Sequence, residues 1–133
     1  MGSPRHFFHH GDTEGTEGHR ELGPGLLESA YELCLAQELT VRGIRFERQR
    51  EIQVEYKGVQ IPCSYRLDFV VEQTVIVEVK AIAQLLPIHN AQLLTYLRLT
   101  RLPIGLLINF HVPAIRDGGV RRFVSPSARK LAE

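Results

Sequence analysis

The run Val75-Ile76-Val77-Glu78-Val79-Lys80-Ala81-Ile82-Ala83 has the length and β-branched content of a buried strand, yet it holds two ionised side chains. A strand covered on both faces is normally apolar throughout, and a buried charge without a partner or a metal is expensive. Upstream, Asp68 interrupts a second apolar-rich segment, residues 65–71, in the same way. Whatever this chain folds into must give these three side chains a reason to be there.

A register count brings them together. If Glu72-Gln73-Thr74 is a three-residue loop, antiparallel partners have numbers adding to 146, and Asp68 lies across from Glu78. Their Cβ atoms are then about 5 Å apart on one face. A two-residue loop would set Asp68 across from Val77 and scatter the polar groups, because a slip of one residue flips every side chain. The first register also sets Arg66 opposite Lys80, a like-charge pair unless the strands splay or an anion sits between them.

Two carboxylates held that close repel each other in apolar surroundings, so one pKa rises or a cation is required. Hard oxygen ligands suit Mg²⁺ or Mn²⁺, which binds one or two carboxylates and keeps several waters. Lys80 shares a face with Glu78 by the two-residue period of a strand. There it can orient a metal-bound water and stabilise charge on a phosphorane-like transition state, the equipment of metal-assisted phosphodiester hydrolysis. The plainer reading is an ion-pair ladder on a solvated face. Ile76 and Ile82, which flank Glu78 and Lys80 on that face, argue against solvation.

The 133 residues suit one domain with one core. Sixteen Lys plus Arg against fifteen Asp plus Glu leave a net charge of +1, so any electrostatic site must be local. Cys34 and Cys63 lack the spacing of a zinc knuckle or a disulfide framework, which fits a reducing cytosol. No apolar stretch approaches a membrane span, and the N-terminus lacks a signal-peptide core. The expectation is a soluble cytoplasmic protein.

Residues 1–20, rich in His, Gly, Thr and Glu, are expected to form a poorly ordered arm, with the single domain spanning 21–133. The pair His9-His10 in that arm is assigned no function. From residue 26 to about 42, apolar positions recur at helical spacing, and Gly43 ends the helix. Ile52, Val54 and Tyr56 alternate, Lys57-Gly58 turns, and residues 59–61 return as a short partner that Pro62 confines to an edge or an end. After the strands at 65–71 and 75–81 comes a helix at about 88–100 with Pro87 in its first turn, then a strand at 104–110. A turn at Asp117-Gly118-Gly119 leads to a last strand at 120–124. The order implies an α/β fold, a central mixed sheet flanked by helices, with one helix joining two parallel strands.

Several ordered motifs resemble the GxxExxY proteins of the PD-(D/E)xK nuclease superfamily. They are Gly25-Leu26-Leu27-Glu28-Ser29-Ala30-Tyr31, Arg66-Leu67-Asp68, Glu78-Val79-Lys80, Ala91-Gln92-Leu93-Leu94-Thr95-Tyr96-Leu97 and Gly105-Leu106-Leu107-Ile108-Asn109-Phe110. The resemblance implies a restriction-endonuclease-like core, with Asp68, Glu78, Glu28 and Val79 at the metal and Lys80 as the catalytic lysine. Gln92 and Tyr96 match the Gln-xxx-Tyr element of the RecB-type branch and join the catalytic set with Glu28. Independently, His89, Gln92 and Tyr96 fall on one helix face. Glu28 has a plainer reading as a first-turn carboxylate favoured by the helix dipole, and Tyr31 as a packing residue. His19 also matches a family histidine, but residues 11–18 are too rich in Gly and Thr to continue the helix that usually precedes it.

Arg42, Arg45, Arg48 and Arg50, with Arg98 and Arg101 at the second helix end, are candidates for sequence-independent phosphate contact. The leading expectation is a Mg²⁺- or Mn²⁺-dependent nuclease acting on DNA, RNA being left open, with a homodimer as one possible assembly. The alternatives are a nucleic-acid- or partner-binding module that keeps the fold without turnover, and a structural domain whose ion pairs have no ligand. Retention of Asp68, Glu78 and Lys80 together favours the first, since a degenerate module has no chemical need of all three.

Overall fold

A computed structural model describes residues 24–111 and 119–126. The expected N-terminal arm with its four histidines, and the first two residues of the Asp117-Gly118-Gly119 turn, lie outside them. The chain runs α1 (Pro24–Val41), β1 (Phe46–Tyr56), β2 (Val59–Val71), β3 (Val75–Lys80), α2 (Pro87–Thr100), β4 (Ile104–Asn109) and β5 (Val120–Val124). The described residues form a five-stranded sheet in sequential order. Only β3 and β4 pair in parallel, joined through α2, and the other neighbours are antiparallel. This is the mixed α/β sheet expected from the sequence.

Each helix covers one face. On the α1 side, Leu27, Tyr31 and Leu35 pack with Phe69, Val77, Val79, Ala81, Ile108 and Phe110. On the α2 side, Leu93 and Leu97 pack with Ile52, Leu67, Val70, Ile76, Leu85 and Leu107. Burying a large apolar side chain of this kind is worth roughly 1.5–3 kcal/mol, so β3, sealed by both clusters, is the mechanical centre. Its burial explains why residues 75–81 read as nearly continuous apolar sequence.

Local chemistry sets the boundaries. Gly43, at φ 69°, follows α1 as a left-handed stop. Lys57 and Gly58, at φ 49° and 77°, make the two-residue hairpin between Tyr56 and Val59. Pro87 opens α2, and the Leu86 N–H donates to His89 Nδ1 at 2.9 Å. Arg101, at φ 61°, closes α2 by donating its N–H to the Leu97 carbonyl.

Three expectations change. Residues 59–61 and 65–71 are one strand, because β2 steps out of register between Gln53 and Val54 of its partner and continues. Pro62 is tolerated there because β3 reaches only the far end of β2, leaving this stretch with one neighbour. Strand β1 begins at Phe46 rather than near Ile52, its polar first half being concealed by side chains that bond Glu32 on α1. Strand β4 ends at Asn109, and Phe110 turns away.

Gly105 marks a close approach of α2 to the sheet: a Cβ there would sit 2.9 Å from Leu93 Cδ1 and 3.0 Å from its Cγ. Leu93 is only 1% exposed and cannot swing aside. Gly105→Ala is therefore expected to destabilise the fold by about 1–3 kcal/mol, as overpacking does. Urea unfolding measures it, and an unchanged midpoint would show that α2 can lift off the sheet without cost.

Candidate active site

Strands β2 and β3 keep the 146 register from Val71–Val75 to Phe69–Val77, and there the backbone ladder stops. The next pair in that register is Asp68 and Glu78, and their side chains take over the bonding. Glu78 Oε1 accepts the Asp68 N–H at 3.1 Å, and Asp68 Oδ2 accepts the Val79 N–H at 2.8 Å. The two strands are thus laced by carboxylates just where they part. Splaying also separates Arg66 from Lys80, and Arg66 pairs instead with Glu51, its partner on β1, at 3.4 Å.

The β1–β2 ladder lapses at the same place. Partners are recorded for Arg48 and Arg50 but not for Gln49, which stands opposite Asp68. Strict alternation would put Leu67 and Phe69 on one face, yet Leu67 packs on the α2 side and Phe69 on the α1 side. In β1, likewise, Phe46 packs toward α1 and Ile52 toward α2. Both strands change face around the pair Gln49 and Asp68, which opens a notch that side chains reach from either side of the sheet.

From α1 comes Glu28. No acidic residue occupies the first turn of this helix, so a dipole role for Glu28 is ruled out. Tyr31, one turn along, stacks on Phe110 with ring centroids 4.5 Å apart, and the Phe110 N–H donates to the Lys80 carbonyl at 2.8 Å. This seats Glu28 beside the end of β3. Burial raises its pKa, the Lys80 charge opposes that rise, Asp68 adds to it, and the Ala81 N–H donates to its carboxylate. From α2 come His89, whose pKa is lowered by burial and by Lys80, and Tyr96, whose pKa is raised by burial and by the charges of Glu78 and Asp68. Gln92, on the same helix, is exposed and bonds none of the described residues. Val79 is fully buried on the α1 side, so only its backbone can face a ligand.

Burial, the Asp68 charge and the shared hydrogen bond push the Glu78 carboxyl up to about 9, and burial raises Asp68 as well. Two such groups need a proton or a cation between them. Each spends one oxygen on a backbone N–H, and the hydrogen bond the two carboxyls also share is the one a cation would replace. No cluster of three His, Cys, Asp or Glu close enough to hold a metal forms among the described residues. Hard oxygens from two carboxylates suit a cation that keeps most of its water, and so fit Mg²⁺ or Mn²⁺.

Several contributors had little or no signal in the sequence. Asn109, the β4 partner of Lys80, is 3% exposed. Its amide accepts the Ile82 N–H and donates to the Ile82 carbonyl, at 3.1 and 2.9 Å, and so fixes the chain as it leaves Lys80. Tyr65 meets Tyr96 with ring centroids 5.6 Å apart. Buried Glu32 receives hydrogen bonds from Arg48 and Gln49, and only its position one turn beyond Glu28 could have drawn attention. The arginine cluster is not a ready phosphate cradle. Arg42, Arg45, Arg48 and Arg50 lie within 2.8, 3.4, 3.1 and 3.8 Å of Glu38, Glu72, Glu32 and Glu47.

The family model of the PD-(D/E)XK nuclease superfamily matches residues 14–123. The chain belongs to this superfamily. Its fold is accordingly restriction-endonuclease-like, a mixed sheet flanked by helices. A solved structure titled "Crystal structure of SSO0001" is similar in fold, with a TM-score of 0.56 and 18% identity, over 90% of this chain and 67% of that one. No curated protein matches. Among the described residues no helix is long and apolar enough to cross a membrane.

The raised Glu78 pKa has a consequence for stability. A carboxyl that keeps its proton in the folded chain after the unfolded chain has released it favours unfolding as pH rises. With metal removed, stability is expected to fall between about 4.5, the ordinary value, and about 9. Glu78→Gln should flatten most of that decline. Thermal melting in chelator across this range measures it, and equal slopes for both proteins would mean Glu78 titrates as an exposed carboxylate.

Proposed function

We propose that this superfamily member is a divalent-metal-dependent nuclease that hydrolyses phosphodiester bonds, with DNA as its first substrate. The observation that carries the reading is the pair Asp68 and Glu78, interlocked at the end of a buried ladder with Lys80 two residues on. In this reading Asp68 and Glu78 hold Mg²⁺ or Mn²⁺, with Glu28 and the Val79 backbone beside them. The cation, when bound, supplies Lewis-acid polarisation of the phosphate and neutralises developing charge. Lys80, whose charge reaches Glu28, Asp68 and Glu78, holds the attacking water and faces the phosphoryl oxygens.

The motif Gly25, Glu28 and Tyr31 supports placement with GxxExxY proteins, and Gln92 with Tyr96 supports a RecB-type branch. Tyr96 feels the charges of both carboxylates. Gln92, exposed and uncommitted, is placed to meet nucleic acid rather than the core. Arg42, Arg45 and Arg50 exchange carboxylate partners for phosphates on binding, since exposed pairs of this sort are worth only about 0–1 kcal/mol, while Arg48 stays with buried Glu32.

Linear, circular and single-stranded DNA, and single-stranded RNA, incubated with Mg²⁺ or Mn²⁺ provide the test. The wild type is expected to cut DNA, with Lys80→Ala and Asp68→Asn slower by on the order of 10²-fold or more, as for loss of a charge-stabilising group. The enzyme reading fails if the wild type cuts nothing or if both variants cut as well as it does.

A further inference from the structure

Glu32 is a buried charge that this chemistry leaves unused. It is 8% exposed, and both its hydrogen bonds, from Arg48 Nη2 at 3.1 Å and Gln49 Nε2 at 2.6 Å, end on Oε1. Among the described residues Oε2 has no partner, an unfavourable state for a buried group. Glu32 is bonded to Gln49, which stands opposite Asp68, and its charge bears on both Asp68 and Glu28, so the group lies at the notch.

Gln49 is unusual for a second reason. Among the described residues it is the one inside a strand with φ in the left-handed region, at 52°. For a side chain other than glycine such backbone is strained and persists where its surroundings enforce it. Here it falls opposite Asp68, at the position where both strands change face, and it delivers the Gln49 amide to Glu32. Arg48, over the Phe69 ring at 5.8 Å, balances part of the carboxylate's charge.

We propose that Glu32 is the outer carboxylate of the metal site: its uncommitted Oε2 accepts a hydrogen bond from a water in the hydration shell of a divalent cation held by Asp68 and Glu78, and Gln49 positions it. The inference rests on the metal-binding half of the reading above and is independent of turnover. Arg48 and Gln49 hold Oε1 fixed, leaving Oε2 without a partner among the described residues.

The test is calorimetric titration of the full chain with Mn²⁺, alongside melting of the metal-free protein. Glu32→Gln keeps an oxygen for Arg48 and Gln49 while replacing the spare acceptor by a donor. Gln49→Gly adopts φ 52° without strain and removes only the amide. Glu32→Gln is expected to weaken Mn²⁺ binding about tenfold, as outer-shell partners do, and Gln49→Gly by a smaller factor, with melting little changed. Should Glu32→Gln fail to fold, Gln49→Gly decides by itself. If the wild type binds Mn²⁺ and Asp68→Asn abolishes it while both variants bind normally, Glu32 is purely structural and the inference is overturned alone. A loss far beyond about a hundredfold would overturn the outer role in favour of direct ligation. A wild type that binds no Mn²⁺ overturns the metal reading and this inference with it.

Discussion

The two bonds that join Asp68 to Glu78 and Val79 carry the architecture of this protein's candidate site. They stand where backbone hydrogen bonds between β2 and β3 would otherwise continue, and they hold the strands together just as the strands diverge. A carboxylate that accepts from a backbone N–H is anchored in position as well as partly compensated for burial. The same bonds that make the fork possible therefore aim the remaining oxygens into it. The cost appears as raised pKa values, above all at Glu78, which a proton or a cation must answer.

Everything else at the notch depends on that fork. Gln49 and Asp68 mark the line where β1 and β2 change the face they bury, so side chains from α1 and from α2 act on the same carboxylates. Asn109 secures the chain beyond Lys80, and the stack of Tyr31 on Phe110 seats α1 against the end of β3. Rigid packing on both faces of β3 supplies the frame against which these placements are held. Functional groups are best held by such elements, whose own conformations leave little freedom.

Much of this was legible in the sequence. Charges inside residues 75–81 signalled a special strand, and the three-residue loop at 72–74 gave the register that the described ladder follows. Helical periodicity located α1 and α2, and the apolar run from Ile104 located β4. The start of β1 was hidden because Glu47, Arg48 and Gln49 look like a polar linker. Their partners, Arg50 apart, lie on distant elements such as α1. The carboxylates beside the arginine cluster were hidden for a related reason: a count of positive charges says nothing about the partners the fold will bring to them.

By itself, then, the sequence determined the α/β class, the family motifs and the pairing of Asp68 with Glu78, because strand alternation and loop length are local rules that act over a few residues. Only the tertiary structure decided that the ladder breaks at that pair, that Gln49 is forced into left-handed backbone opposite Asp68, and that Glu32 is buried with one oxygen to spare. Those features arise where two strands twist across the sheet and a helix closes over them, and no window along the chain contains all three partners.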